Sequence, residues 1–318
     1  MLRTLLLLLS FVVATACGGS SAATPASGKP RVVVIPKGTT HVYWQAVAAG
    51  ARAGGERVGV DVVWKGPLQE NDRGQQIQLV QQFVGEGVAG IALAPLDHAA
   101  LVPAVRAARA RGIEVVVFDS DLDGVAGSDY ASFVATDNRA AGELGGRHLA
   151  QLLGGRGKVV LLRYQVGSAS TEAREEGFLA AARAAGLEVL VENRFAGATV
   201  GEAKTAALNL ADTLRQAQGV FCSNEPTTVG MVQALAQLGL TGALQVVGFD
   251  CSPPIVQALR DGALAAIVVQ DPRRMGELAV QHLADAIHKK PVPPRVDTGA
   301  VLATKANMHE PAVAKLLE

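Results

Sequence analysis

Beyond residue 30 the chain alternates between short, unbroken apolar runs and longer stretches that are apolar on one side only. The runs at 31–36 (RVVVIP), 60–64, 90–94 and 113–118 are rich in Val and Ile. Runs of this kind suit parallel strands covered on both faces. The stretches between them, 42–57, 72–84 and 99–111, carry helical spacing, with Ile77, Val80, Phe83 and Val84 on one face of the second. A short strand ends at Val134–Ala135, and Asp137-Asn138 supplies a helix N-cap. The rhythm then restarts, with strands at 158–163, 187–192, 219–222, 245–249 and 265–269. Helices at 172–185, 201–216, 227–238, 253–260 and 273–287 separate and follow them. Two successive strand–helix series predict an α/β fold of two doubly wound parallel-sheet lobes.

The first residues do not fit this rhythm. Arg3 precedes a nearly continuous apolar stretch over 5–13, too short to span a bilayer as a mature helix. Ala14, Thr15 and Ala16 then lead to Cys17. Residues 1–16 read as a signal peptide, and small residues ahead of a Cys resemble a bacterial lipoprotein signal, with Cys17 lipidated. Ordinary cleavage after Ala16 also fits. Residues 17–30 form a small-residue tether that lets a soluble domain work at a membrane surface. The expected location is periplasmic or at the cell surface, anchored by lipid.

Composition narrows the function. Lys and Arg together number 29, as do Asp and Glu, and aromatic residues make up 4% of the 318 positions. A nucleic-acid partner is not expected from a chain without basic excess or stacking residues. Cys17, Cys222 and Cys251 are too few for a disulfide scaffold and lack zinc-site spacing. Cys222 and Cys251 are expected as free thiols, a disulfide between them being the other reading. No phosphate loop, dinucleotide fingerprint, nucleophile elbow or HExxH motif is present. Neither an enzyme nor a resident metal or cofactor is expected.

In doubly wound sheets, ligands sit beyond the carboxyl ends of strands. Those junctions carry Lys37 to Trp44, Asp119-Ser120-Asp121, Tyr164 to Arg174, Asn224-Glu225, Asp250 and Gln270-Asp271. Carboxylates accept hydroxyl protons, amides donate and accept, and Arg donates in a fixed fork. An aromatic face covers the C–H face of a pyranose. Together they suit a polyhydroxylated ligand.

With these residues the chain resembles the periplasmic sugar-binding proteins of ABC importers, of the ribose-binding type. The resemblance spans about 31–305. It rests on Tyr43-Trp44, Phe118-Asp119, Ala135-Thr136-Asp137-Asn138, Ala173-Arg174 before Gly177-Phe178, Phe221-x-x-Asn224, residues 246–250 (VVGFD) and Gln270-x-Pro272. It implies a type I periplasmic binding fold with a three-crossover hinge near 136–137, 270–271 and 296–298. Lobe 1 would comprise 31–136 with 271–297, and lobe 2 would comprise 137–270 with 298–318. Matched position by position, it implies that Asp119, Arg174, Asn224, Asp250 and Gln270 contact the sugar, and that Tyr43 and Trp44 stack on its ring. Lys37 and His41 fall on polar contact positions where the family usually has Ser and Asn, and Ser120 stands where ribose binders have Arg. These departures leave the identity of the sugar open among monosaccharides, polyols, acidic sugars and nucleosides. The implied partners are a monosaccharide or related polyol and an ABC permease in the inner membrane, and the implied state is a monomer.

Three other readings were weighed. A sensor handing its closed form to a receptor kinase or chemoreceptor would share every residue above. A repressor needs an N-terminal helix-turn-helix where a signal and tether stand. A sugar-processing enzyme would lean on Asp119 and Asp250 as acid and base, without further bond-breaking machinery.

Overall fold

A computed structural model of the chain describes residues 28–318. The segment expected as a signal peptide, Cys17 and most of the expected tether lie outside the described residues. The first series is β1 (Arg31–Ile35), α1 (Val42–Val58), β2 (Asp61–Trp64), α2 (Arg73–Glu86), β3 (Gly90–Leu93), α3 (Val102–Ala110), β4 (Glu114–Phe118) and β5 (Ser132–Ala135). The second is α4 (Asn138–Leu152), β6 (Lys158–Arg163), α5 (Ala169–Ala184), β7 (Glu188–Phe195), α6 (Val200–Leu208), α7 (Ala211–Leu214), β8 (Gly219–Cys222), α8 (Glu225–Gln237), β9 (Gln245–Phe249), α9 (Pro253–Asp261) and β10 (Ala266–Gln270). The chain closes with α10 (Pro272–Ile287), β11 (Arg295–Asp297), β12 (Ala300–Thr304) and α11 (Pro311–Ala314).

The two sheets run β11-β5-β4-β3-β1-β2 and β12-β10-β9-β8-β6-β7. Each reverses its order of winding beside its first strand, which opens a crevice at the carboxyl ends. Each sheet has an apolar layer on both faces, so four clusters build the core. That double burial explains the unbroken Val and Ile runs.

Three elements differ from expectation. The helix expected over 201–216 is two, α6 and α7, because Asn209, a poor helix former, ends the first. The strand expected to stop at 192 continues to Phe195. Residues 295–304, in which only a crossover near 296–298 is expected, hold β11 and β12. These edge strands are short and half exposed, so neither shows an apolar run. β12 pairs with β10 antiparallel, whereas every other strand pair in the two sheets is parallel.

The chain passes between sheets at Thr136–Asp137, at Gln270–Asp271 and at Asp297–Gly299. The first and third passages are tied together. Thr298 N–H donates to the Ala135 carbonyl (2.9 Å), and the Asp297 carboxylate accepts Asp137 N–H (3.0 Å) and Gly299 N–H (2.7 Å).

Two helix pairs are packed backbone to backbone. A Cβ on Gly50 of α1 would collide with the Arg273 carbonyl, and one on Gly276 of α10 with the Val47 carbonyl. Gly142 of α4 and Gly177 of α5 meet the carbonyls of Arg174 and Arg139 in the same way. Glycine at these positions sets how closely each helix pair approaches.

Candidate functional site

The carboxyl ends of both sheets meet at one cavity, built on a repeated local device. Asp119 follows β4 and Asp250 follows β9, and both adopt left-handed backbone, with φ of 62° and 68°. Asp tolerates this region better than most residues. Asp119 N–H donates to the Val134 carbonyl and Asp250 N–H to the Val268 carbonyl, so each turn is pinned to the next strand. Each turn thereby directs a buried carboxylate into the cavity from its own lobe.

The cavity is narrow, with about 340 Å³ of space between atoms, part of it open to solvent. It is lined by Lys37, His41 and Glu70 from the loops after β1 and β2, by Tyr43 and Trp44 from the first turn of α1, and by Asp119. The second lobe contributes Tyr164, Ser170, Thr171, Arg174, Asn224, Glu225, Pro226, Asp250 and Gln270. Ser120 is the one residue singled out in the sequence that does not line it. Its side chain is fully buried and accepts Ser170 N–H across the cleft (3.1 Å).

Most polar groups are held before any ligand arrives. Arg174 donates to Asn138 (2.8 Å), the Ser223 carbonyl (3.0 Å) and Gln270 (2.9 Å), with its guanidinium 4.0 Å above the Phe249 ring. Gln270 in turn donates to Asp250 (2.6 Å), which also accepts Glu225 N–H (2.9 Å). Tyr43 OH donates to Asp119 (2.7 Å), and the Tyr43 and Trp44 rings meet edge to face at 4.9 Å. Asn224 caps α8 through its side-chain oxygen (3.2 Å to Thr227 N), while its Nδ2 has no partner among the described residues. That amide, two remaining Arg174 N–H groups and the Asp250 and Asp119 lone pairs are free for hydroxyls.

Glu70 is the hub of the first lobe's wall. Its Oε1 accepts Trp44 Nε1–H (2.6 Å) and pairs with His41 Nδ1 (2.7 Å), and its Oε2 accepts Tyr164 OH from the other lobe (3.0 Å). Burial raises the Glu70 carboxyl, but the His41 bond and charge, Lys37 and Trp44 outweigh it and hold its pKa below the usual value. Burial likewise works against charge on His41, and Glu70, with Glu225 and Asp250 beyond, more than offsets it and raises the imidazole. Burial raises Asp250, against the pull of Arg174, and raises Glu225, which also faces the Asp250 charge. The cations Lys37 and Arg174 thus stand among the carboxyl groups of Glu70, Asp119, Glu225 and Asp250. No cluster suited to a metal ion occurs among the described residues.

In the sequence, Tyr164, Ser170, Thr171 and Glu225 stand out only as junction residues, Glu70 reads first as a solvated loop or cap residue and only second as one lining the cleft, and Pro226 carries no signal. Tyr164 directly follows β6, so the strand-end rule alone finds it. Glu70 lies in a loop six residues past β2 and reads as a solvated turn; only tertiary structure brings it to the cavity. Phe195, the aromatic nearest the second lobe's edge, is largely exposed beneath Arg163 and stays outside. Cys222 and Cys251 are free thiols.

The fold is shared with proteins of known kind. The chain is 30% identical over 273 residues to the D-allose-binding periplasmic protein of Escherichia coli, covering 84% of this chain and 88% of that one. A solute-binding protein of an ABC transporter from Agrobacterium vitis, solved with bound D-fucose, superposes with a TM-score of 0.86 at 34% identity, covering 91% of this chain and 100% of that one. A carbohydrate transporter solute-binding protein from Agrobacterium radiobacter, solved with D-arabinose, gives a TM-score of 0.86 at 32% identity, with 91% and 99% covered. The family profile described as periplasmic binding protein domain matches residues 32–291, and the chain belongs to that family.

Proposed function

We propose that this protein captures a small uncharged sugar between its lobes outside the cytoplasm and delivers it to an ABC permease in the inner membrane. The observation that carries the reading is the lining of the cavity: one buried Asp from each lobe, with Asn224, Arg174 and Gln270 beside them. Asp119, Arg174, Asn224, Asp250 and Gln270 bind hydroxyls, and Tyr43 with Trp44 borders the ring. His41 adds a polar contact through the ring nitrogen that Glu70 leaves free. The relatives' names and bound ligands, D-allose, D-fucose and D-arabinose, are all uncharged monosaccharides.

Closure removes water, so each satisfied hydroxyl bond strengthens and each orphaned group is penalised. An epimer leaves a buried carboxylate or amide without its partner, which is the source of selectivity. Micromolar to nanomolar capture corresponds to about −8 to −12 kcal/mol. The protein acts as a monomer, held at the membrane by lipid on Cys17, and binds without transforming its ligand.

The test is a thermal-shift screen of residues 29–318 against neutral sugars, polyols, sugar acids and nucleosides. A selective shift from a neutral monosaccharide is expected. A shift from nucleosides or sugar acids alone would overturn the ligand class.

A further inference from the structure

The loop after β1 brings two basic side chains to the cavity, and their surroundings differ. Lys37 Nζ donates to Ser168 Oγ (3.0 Å) and Ser170 Oγ (2.9 Å) and faces Asp119 at 3.5 Å, which engages all three of its protons. His41 is bonded at one ring nitrogen. Its Nδ1 meets Glu70 Oε1 at 2.7 Å, and its Nε2 has no partner among the described residues. An ionised carboxylate only accepts, so Nδ1 carries a proton. The same Oε1 accepts Trp44 Nε1–H (2.6 Å), so one carboxylate atom holds the imidazole and the indole side by side. His41, Trp44 and Glu70 all belong to the first lobe, so this arrangement does not depend on contact with the second.

We infer that Glu70 is a positioning residue that fixes the His41 ring and keeps it charged, so that Nε2–H donates to an oxygen of the sugar. The inference rests on the reading of the cavity as a sugar site. With Nδ1–H held by Glu70, the charge on the ring decides the sense of the contact: a charged ring donates from Nε2, and a neutral one offers only a lone pair there. The carboxyl groups facing the ring are Glu70 in the loop after β2, Glu225 at the start of α8 and Asp250 after β9, and together they outweigh the burial that opposes its charge. The cations of the cavity are engaged elsewhere, Lys37 as above and Arg174 by Asn138, Ser223 and Gln270. A charged N–H makes a stronger hydrogen bond than a neutral group. Sugar affinity should therefore follow the charge on His41 and fall as pH rises through the ring's folded value.

The experiment combines nitrogen-15 NMR of the ring nitrogens in the full, unliganded chain with calorimetric titration of D-allose, D-fucose and D-arabinose across pH. It uses the wild type, Glu70→Gln and His41→Asn. Glu70→Gln keeps the length and an accepting oxygen and removes the charge. His41→Asn identifies the His41 signals by their loss, and it shows what Glu225 and Asp250 add to the pH profile. In the wild type the ring is expected to stay charged above pH 6.5 and to keep its Nδ1 proton when it becomes neutral. In Glu70→Gln it should lose its charge at lower pH. For a sugar that binds, wild-type affinity should fall about three- to tenfold as the ring loses its charge. Binding in that range should take up protons, read as heat that varies with the buffer. The fall should move to lower pH in Glu70→Gln and vanish in His41→Asn. A ring neutral at pH 6.5, or one that is protonated at Nε2 alone when neutral, would overturn the placing of His41 by Glu70, whichever sugar binds. Wild-type affinity indifferent to the ring's charge, or a fall that persists in His41→Asn, would overturn the contact. No heat from any of the three sugars, with the ring behaving as expected, would overturn the reading on which the contact rests and not the placing of the ring.

Discussion

His41 and Glu70 make the wall of the site sensitive to pH in a direction that can be worked out. The His41 pKa is raised above its ordinary 6.5, so its pairing is fully stabilising below that value and is lost as pH rises through the folded value. The Glu70 pKa is lowered below its ordinary 4.5, so its contribution is present above that value and is lost as pH falls through the folded value. The pair therefore stabilises most between those two limits. His41→Gln should cost about 1.5–3 kcal/mol at pH values just below the ordinary histidine range, as for a hydrogen bond to a charged group, and less as pH rises through the raised folded value. Melting curves from mildly acidic to alkaline pH check it; a loss that does not change with pH would show that the ring keeps one protonation state across that span. Asp250→Asn keeps a residue that tolerates left-handed backbone and removes only the carboxylate. It should weaken sugar binding by about 1–3 kcal/mol by calorimetry, with the lobes still folded. Asn224 shows why single residues were hard to read from sequence. Its junction position fits a helix cap and a ligand contact equally, and the structure uses one side-chain atom for each. Glu70 carried only its place near a strand end, which reads first as a solvated loop, because its role depends on partners at positions 41, 44 and 164.

At the level of elements, the site is only as well placed as the helices beneath it. Arg174 sits on α5, whose distance from α4 is set by Gly142 against the Arg174 carbonyl itself. Gly142→Ala gains helix propensity but forces the pair apart. The net loss should be about 1–3 kcal/mol of stability, as for other overpacked sites, together with weaker sugar binding as the guanidinium moves off Gln270. Chemical unfolding and calorimetry on the same variant separate the two effects. Unchanged stability would mean that α4 shifts without strain. The buried strands and their order of appearance were legible because double burial imposes an apolar run. β11 and β12 were not, because a half-exposed edge strand needs no such run.

At the scale of the molecule, binding and stability are the same quantity seen twice. A sugar that binds only the folded protein adds about 2.7 kcal/mol at 100 times its Kd, so the screen should raise the melting temperature by several degrees. A single transition that moves as one would show the lobes unfolding together on the ligand; two transitions, one unmoved, would show a lobe that does not take part. The two-lobed plan was legible because the strand–helix rhythm restarts after Asp137-Asn138. The contacts between the lobes were not, since Lys37 donates to Ser168 (3.0 Å) and Ser170 (2.9 Å), which lie far from it in sequence.

The three passages between sheets also impose an order on synthesis. Every strand of the second sheet except β12 lies in one uninterrupted stretch of chain, whereas the first sheet waits for α10 and β11. Until α10 emerges, one face of the first sheet, including Val32, Val34, Val116 and Phe118, has only α1 to cover it. A chain stalled at Gln270 on the ribosome would therefore carry a nearly complete second lobe beside an apolar, unfinished first one. The lobe begun first lacks its covering helix until translation nears its end, and its bare face is a docking place for chaperones until then.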